Sequence, residues 1–211
     1  MRKVFLVLFV GWFSLVTAES FAALTITPAG QQVFDLATGV TTLPQGGEIV
    51  DRESKLSLNA AHIRYEEGNF IEASESTVRG KFGTLQAADI VVNLIEQTIL
   101  ATGSLQFDYS GLSVVADSLT IYLEPDIAVL EGRVTSDAPQ LSSATVVIDL
   151  TSQHVLLVSP YLYQNGILRL TQDAEGEFLQ LDQTGTDDAP SYQARTQVDE
   201  LVFERLNPFM P

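Results

Sequence analysis

Cysteine is absent from all 211 residues. That one absence excludes a disulfide framework, a zinc–thiolate centre, a thiol nucleophile and a lipoprotein anchor. Histidine is nearly absent as well. His62 and His154 stand 92 positions apart, with no carboxylate spacing that makes either a metal ligand, so each reads as a solvated strand or turn residue. No nucleophile elbow, zinc-protease helix, phosphate loop or dinucleotide fingerprint occurs. The acidic stretches 173–177 and 187–188 lack the alternating oxygen ligands and glycine of a calcium loop. The sequence offers no catalytic constellation, metal site or cofactor, and a role other than enzyme is expected.

Positive charge is scarce. Lysine and arginine number 11 against 27 acidic residues, for a formal net charge of -16. Such a surface repels phosphate backbones, which argues against nucleic acid as a partner. Solubility or a salty environment accounts for the acidity without any specific acidic site. Disorder is excluded by composition, since 45% of the residues are hydrophobic.

Only one long apolar run occurs, at residues 4–16, behind Arg2 and Lys3 and broken only by Gly11 and Ser14. It is too short for a comfortable membrane span of about 20 residues and has the form of a signal-peptide core. Val16-Thr17-Ala18 and Ser20-Phe21-Ala22 both offer small-x-small cleavage patterns, and cleavage after Ala23 fits too. Residues 1–23 are therefore expected to be a cleavable signal peptide, with an uncleaved inner-membrane anchor as the alternative. The sole tryptophan, Trp12, lies in this segment, so the processed protein is expected to lack tryptophan fluorescence.

What is present is a repeat. Four segments share an alanine followed by alternating apolar positions: Ala61-x-Ile63-x-Tyr65, Ala88-x-Ile90-x-Val92-x-Leu94, Ala116-x-x-Leu119-x-Ile121-x-Leu123 and Ala144-x-Val146-x-Ile148-x-Leu150. The alanines at 61, 88, 116 and 144 fall 27 or 28 residues apart. A polar turn follows each segment, then a second apolar stretch returns, at 70–73, 99–101, 127–130 and 155–158. The period is two, in β-branched-rich segments, with no sustained helical stripe and frequent glycine and proline; that is the signature of half-buried strands. One repeat is a strand, a turn and a returning strand. A lone hairpin cannot bury its apolar face, so the units must stack into a sandwich, jelly roll or solenoid. The all-β body is placed at 24–181. A polar, mobile loop and C-terminal edge segment occupy 182–211, with 197–205 either a last strand or a short helix.

The pattern Leu85-x-x-Ala88-Asp89-Ile90-x-Val92-x-Leu94, then Thr98-Ile99-x-Ala101-x-Gly103-x-Leu105, resembles the repeat of the LptA/OstA-like family of periplasmic lipopolysaccharide-transport proteins. The unit from Ala116-Asp117 to Gly132-x-Val134 repeats it. The likeness runs from about Leu56 to Val158. It implies an antiparallel β jelly roll, an open two-sheet sandwich around an apolar groove, that carries lipopolysaccharide or a related lipid across the periplasm. It also implies head-to-tail contact with like-folded transport subunits through edge strands, here near Leu24 and Glu204, and it supplies no catalytic residues.

An acyl chain of a dozen carbons gains about 10 kcal/mol on leaving water, at ~0.8 kcal/mol per methylene. Strands in register offer it a continuous trough, because every second side chain faces the same interior. The expected lining is Ile90, Val92, Leu94, Ile99, Ala101, Leu119, Ile121, Leu123, Leu130, Val146, Ile148, Val155 and Leu157. Beyond the leader the cations are Lys55, Lys81 and arginines 52, 64, 79, 133, 169, 195 and 205. So acidic a carrier would hold anionic headgroups only through divalent cations or through basic residues clustered at the rim; another outer-membrane lipid is a further option. The alternative function is a structural envelope or surface-layer β-solenoid component with a closed core and no cargo.

Overall fold

Alternation at period two becomes strand after strand. The structure, a computed structural model, describes residues 24–210 apart from 53 and 186–190. The leader at 1–23 and its cleavage lie outside the described residues. The strands are β1 (Leu24–Pro28), β2 (Val33–Phe34), β3 (Thr41–Leu43), β4 (Gly47–Asp51), β5 (Leu56–Glu66), β6 (Phe70–Gly80), β7 (Gly83–Asn93), β8 (Thr98–Tyr109), β9 (Leu112–Tyr122), β10 (Ile127–Asp137), β11 (Gln140–Asp149), β12 (His154–Asn165), β13 (Leu168–Gln172), β14 (Phe178–Gln183) and β15 (Tyr192–Arg195). A helix, α1 (Glu200–Leu206), and a 3-10 turn (Asn207–Phe209) follow. All the strands belong to one 15-stranded antiparallel sheet, so the fold is all-β, as expected. From β5 to β12 it is an uninterrupted meander of long hairpins, two strands to each sequence repeat.

The long strands do not run straight. Midway along, pairing between neighbours is skipped, as at Ala61 and Glu75, or slips, as between Gln86 and Asp89 and between Thr102 and Leu105. Residues at this line take left-handed conformations on alternate strands: Glu75 (φ 49), Gly103 and Ser104 (φ 71 and 46) and Gly132 (φ 92). An irregularity of this kind bends a strand. In β5, β6, β7, β9 and β11 it also changes which parity faces inward, whereas β8 keeps one parity, with Ala101 and Leu105 both buried. In β7, Leu85 and Ala87 are buried before the crease, and Ile90 and Val92 after it. The repeat alanines thus mark a fold line: Ala61 and Ala144 are exposed, and Ala116 is buried. Asp117, beside the crease, accepts hydrogen bonds from the backbone amide and guanidinium of Arg133 (3.1 and 2.9 Å).

The crease divides the sheet into two limbs. The first limb ends in the turns after β5, β7, β9 and β11; the second ends in those after β6, β8, β10 and β12. Tyr109, at the tip of the second limb, donates its hydroxyl to the carbonyl of Leu150 at the tip of the first, at 2.8 Å. Both tips lie about five residues from the crease, roughly 17 Å of strand. Contact between them therefore requires the limbs to fold face to face. The result is a two-layer sandwich made from one sheet, with a main core drawn from both inner faces.

At each end the two-limb strand hands over to separate short strands. Beside β5, β4 and β1 continue the second limb, while β3 and β2 continue the first. Beside β12, β13 continues the second limb, while β14 and β15 continue the first. The segment 197–205 contains a helix rather than an edge strand. Asp199 caps it by accepting from the Leu201 amide (2.9 Å), and Val202 and Leu206, one turn apart, are its buried face. They pack on Ile127, Val129, Val147 and Leu156, on the outer side of the first limb.

Candidate functional site

Cross-strand register gathers the inward residues of the first limb into rows. One row pairs Ile90 with Ala101, Ala101 with Leu119, Leu119 with Leu130, Leu130 with Val146 and Val146 with Leu157. It reaches Ile63 and Leu43 on one side through Ala73, and Leu179 on the other. A second row, nearer the tips, links Val92, Ile99 and Ile121, passes through Ala128, and continues through Ile148 and Val155 to Leu181 and Ala194. Neighbouring strands lie ~4.8 Å apart, so the stripe from β5 to β14 is roughly 40 Å long. The structure therefore brings the expected lining residues onto one face. Leu94 and Leu123 sit at its rim, Leu94 being 8% exposed and Leu123 half-buried. The others are all but completely buried.

The facing wall comes from the second limb, where Leu58, Leu85, Leu105, Phe107 and Tyr163 are among the inward groups, with Phe82 tucked beneath the tip. Sequence reasoning left this wall out. Its signal was nonetheless present in Leu105-x-Phe107-x-Tyr109 and Leu112-x-Val114-x-Ala116, which alternate at period two on the far side of each crease. The interior is not uniformly oily. The hydroxyls of Ser76 and Ser136 are buried there without a protein partner.

Where the limb tips meet they form a seam, and polar contacts hold it. Lys81 of the second limb pairs with Asp126 of the first at 2.6 Å. The Tyr109 bond to Leu150 lies nearby. Ser110 donates to the side chain of Gln183 (2.7 Å) and its carbonyl accepts from Tyr192 (3.1 Å). Burial, reinforced by the Asp149 carboxylate, pushes the Tyr109 phenol up to about 12. Burial and the neighbouring Tyr163 do the same to Tyr192. Both phenols remain hydrogen-bond donors at neutral pH.

The ends of the sandwich differ from its middle. Inward residues of the terminal strands, Leu24 and Ile26 at one end and Leu170 and Ala194 at the other, are only partly covered. An open hollow of about 660 Å³ lies on the outer surface along the crease, across β10 to β13, touching Gly132, Arg133, Thr135, Ala144, Leu162 and Thr171. At the end nearer Leu24, Arg52, Lys55 and Lys81 occupy adjoining turns of the second limb, joining β4 to β5 and β6 to β7, and Arg79 stands near the end of β6. Arg52, Lys55 and Arg79 form no ion pair among the described residues, whereas Arg64, Arg133, Arg195 and Arg205 are each paired with a carboxylate. His62 is an exposed residue at the crease, and His154 faces Asp182 at 2.8 Å on the outer surface.

No family model matches the chain, and no curated protein matches it. Among solved structures it aligns with LptH of Pseudomonas aeruginosa, described as the LptA-homologous periplasmic component of the lipopolysaccharide transport device. The alignment covers 83% of this chain and 96% of that one, at 10% identity and a TM-score of 0.29.

Proposed function

We propose that the protein is a periplasmic lipid-binding bridge, carrying lipopolysaccharide or a related outer-membrane lipid between the inner and outer membranes with its acyl chains between the two limbs. The observation that supports this reading is the unbroken pair of apolar rows running from one end of the sandwich to the other. A core needed only for stability is usually closed at its ends. Here Leu24 and Ile26 at one end and Leu170 and Ala194 at the other are only partly covered, although Tyr192 on β15 is buried, and α1 lies on an outer face instead of sealing an end. The stripe exceeds the length of a single acyl chain, and end-to-end contact with a like-folded domain would extend it further. Leader and cysteine-free composition fit export. The cations on the turns beside β5 and β6 supply a rim where an anionic headgroup can sit, so charge reversal at Lys55 and Arg79 is expected to weaken loading of an anionic lipid more than of a neutral one.

A second reading, a structural envelope component with a closed core, draws on the polar contacts along the seam and the complete burial of the central rows. Photocrosslinking separates the two. A photoreactive residue at Val92 or Ile121 in cells that make lipopolysaccharide should give lipid adducts, and one at Leu100 or Val115, which are exposed on the outside (43% and 50%), should not. Adducts at neither inward position, or equally at all four, would reject the carrier in favour of the closed core.

A further inference from the structure

The seam is held from outside by an element that takes no part in the lining. Arg205, near the end of α1, reaches the tip of the first limb and grips two successive turns. Its Nε donates to Asp149, and its Nη2 donates to the carbonyl of Pro125 at 2.9 Å. The two turns are tied to each other as well, since the Leu150 amide donates to the Asp126 carbonyl at 2.8 Å. They are also the turns that close the seam. Asp126 holds Lys81, and the carbonyl of Leu150 holds Tyr109. One guanidinium on the outer surface thus fixes the two loops whose other sides bind the opposite limb.

We propose that α1 is a latch on the seam: docked, it keeps the first-limb turns in contact with Lys81 and Tyr109, and released, it lets the limbs part. Its construction suits release. Seven residues are too few for a helix to persist alone in water, and only Val202 and Leu206 are buried, aided by half-buried ring contacts of Phe203 on Phe178 and of Phe209 on Tyr122. Elements with so few buried contacts open at a small fraction of the free energy of global unfolding. The anchor under Arg205 is strong for its size, because Asp149 is almost wholly buried (3% side-chain exposure) and loses its main cationic partner when α1 leaves. Asp149 also accepts from the amides of Thr151 and Ser152 (2.9 and 3.2 Å), which pull the turn toward the anchored position. Gln180 adds a second tie, accepting from the amide of Asp199 at 2.8 Å. The helix therefore couples an accessible outer surface to the entrance of the interior. This inference rests on the reading of the interior as the cargo site, and it supplies that site's regulation.

Thiol access tests it without any lipid, which the lack of native cysteine makes clean. A single cysteine at Ile121, close to the seam, and another at Leu105, beside the crease, are labelled with a maleimide under native conditions in the full chain. Arg205→Ala should raise the labelling rate at position 121 by about tenfold, the effect of losing one charge-assisted contact, and leave position 105 slow. Arg64→Ala, which removes an outer ion pair with Glu72, should change neither. An unchanged rate at 121, or equal acceleration at both sites, overturns the latch. If the alanine variant does not fold, Arg205→Lys, which keeps the charge but loses the second donor, gives the same reading with a smaller increment. Faster labelling at 121 without lipid adducts at Val92 or Ile121 would leave the latch standing and count against the cargo.

Discussion

At the scale of single residues, the seam depends on groups whose protonation is displaced. Tyr109 has its phenol raised from 10.0 to about 12, by burial first and by Asp149 next. A folded-state value above the unfolded one means that its contribution is complete below pH 10 and is lost as the pH climbs toward 12. For Asp149, burial acts to raise the carboxyl, but the bonds from Arg205, Ser152 and the Thr151 amide prevail and hold it below its ordinary value of 3.8. Its contribution is complete above that value and fades as the pH falls through the lowered one. Urea midpoints across pH are therefore expected to show a plateau with losses on both flanks. Tyr109→Phe should shrink the alkaline loss, leaving the share that belongs to Tyr192, and Asp149→Asn should shrink the acid one. Flanks of unchanged slope in both variants would show that neither group holds the fold as described.

Among the elements, the crease matters most, and glycine is required there for a stated reason. Gly132 has φ +92, and a Cβ at that position would lie 2.6 Å from the Cβ of Asp117. Gly68 shares a positive φ (+72) but stands in an open turn with nothing within 4 Å. Gly132→Val should cost about 1–3 kcal/mol from backbone strain and the clash combined, and Gly68→Ala no more than about 1 kcal/mol. Equal losses in urea titrations would remove the crease from the account.

The same element explains what could be read in the sequence. Strand halves from each repeat alanine to the following turn alternate without a break, which is why Ile90-x-Val92 and Leu119-x-Ile121 disclosed both the β class and one wall. Parity reverses across the crease in β6, from Ala73 to Ser76, and in β7, from Ala87 to Ile90, so the continuations there read as unrelated stretches. A further clue lay in the runs Ile127-Ala-Val-Leu130 and Val155-Leu-Leu-Val158. They are apolar on both parities, the mark of a strand covered on two faces, and α1 is what covers the outer face of Val129 and Leu156. A seven-residue helix leaves too few turns for a periodicity that separates it from a strand. The seam contacts join residues up to 82 positions apart, as between Ser110 and Tyr192, and no local pattern encodes them.

For the molecule as a whole, the sheet's topology leaves strand edges at both ends, β1 and β2 at one and β13 and β15 at the other, an arrangement that invites addition of further strands. Leu170 on β13 is inward but only partly covered. Leu170→Lys should therefore be tolerated by the monomer and lower concentration-dependent self-association, measured by sedimentation. Undiminished association would place the contact elsewhere. The carrier reading further requires the limbs to separate while the crease holds. Glu124 and Gln140 lie exposed at the opposite tips of β10, on either side of the seam. With spin labels at these two positions, the distance between them should lengthen when lipopolysaccharide micelles are added and stay fixed with the deacylated saccharide. A distance that is the same with and without acylated lipid would contradict the proposal that acyl chains enter between the limbs.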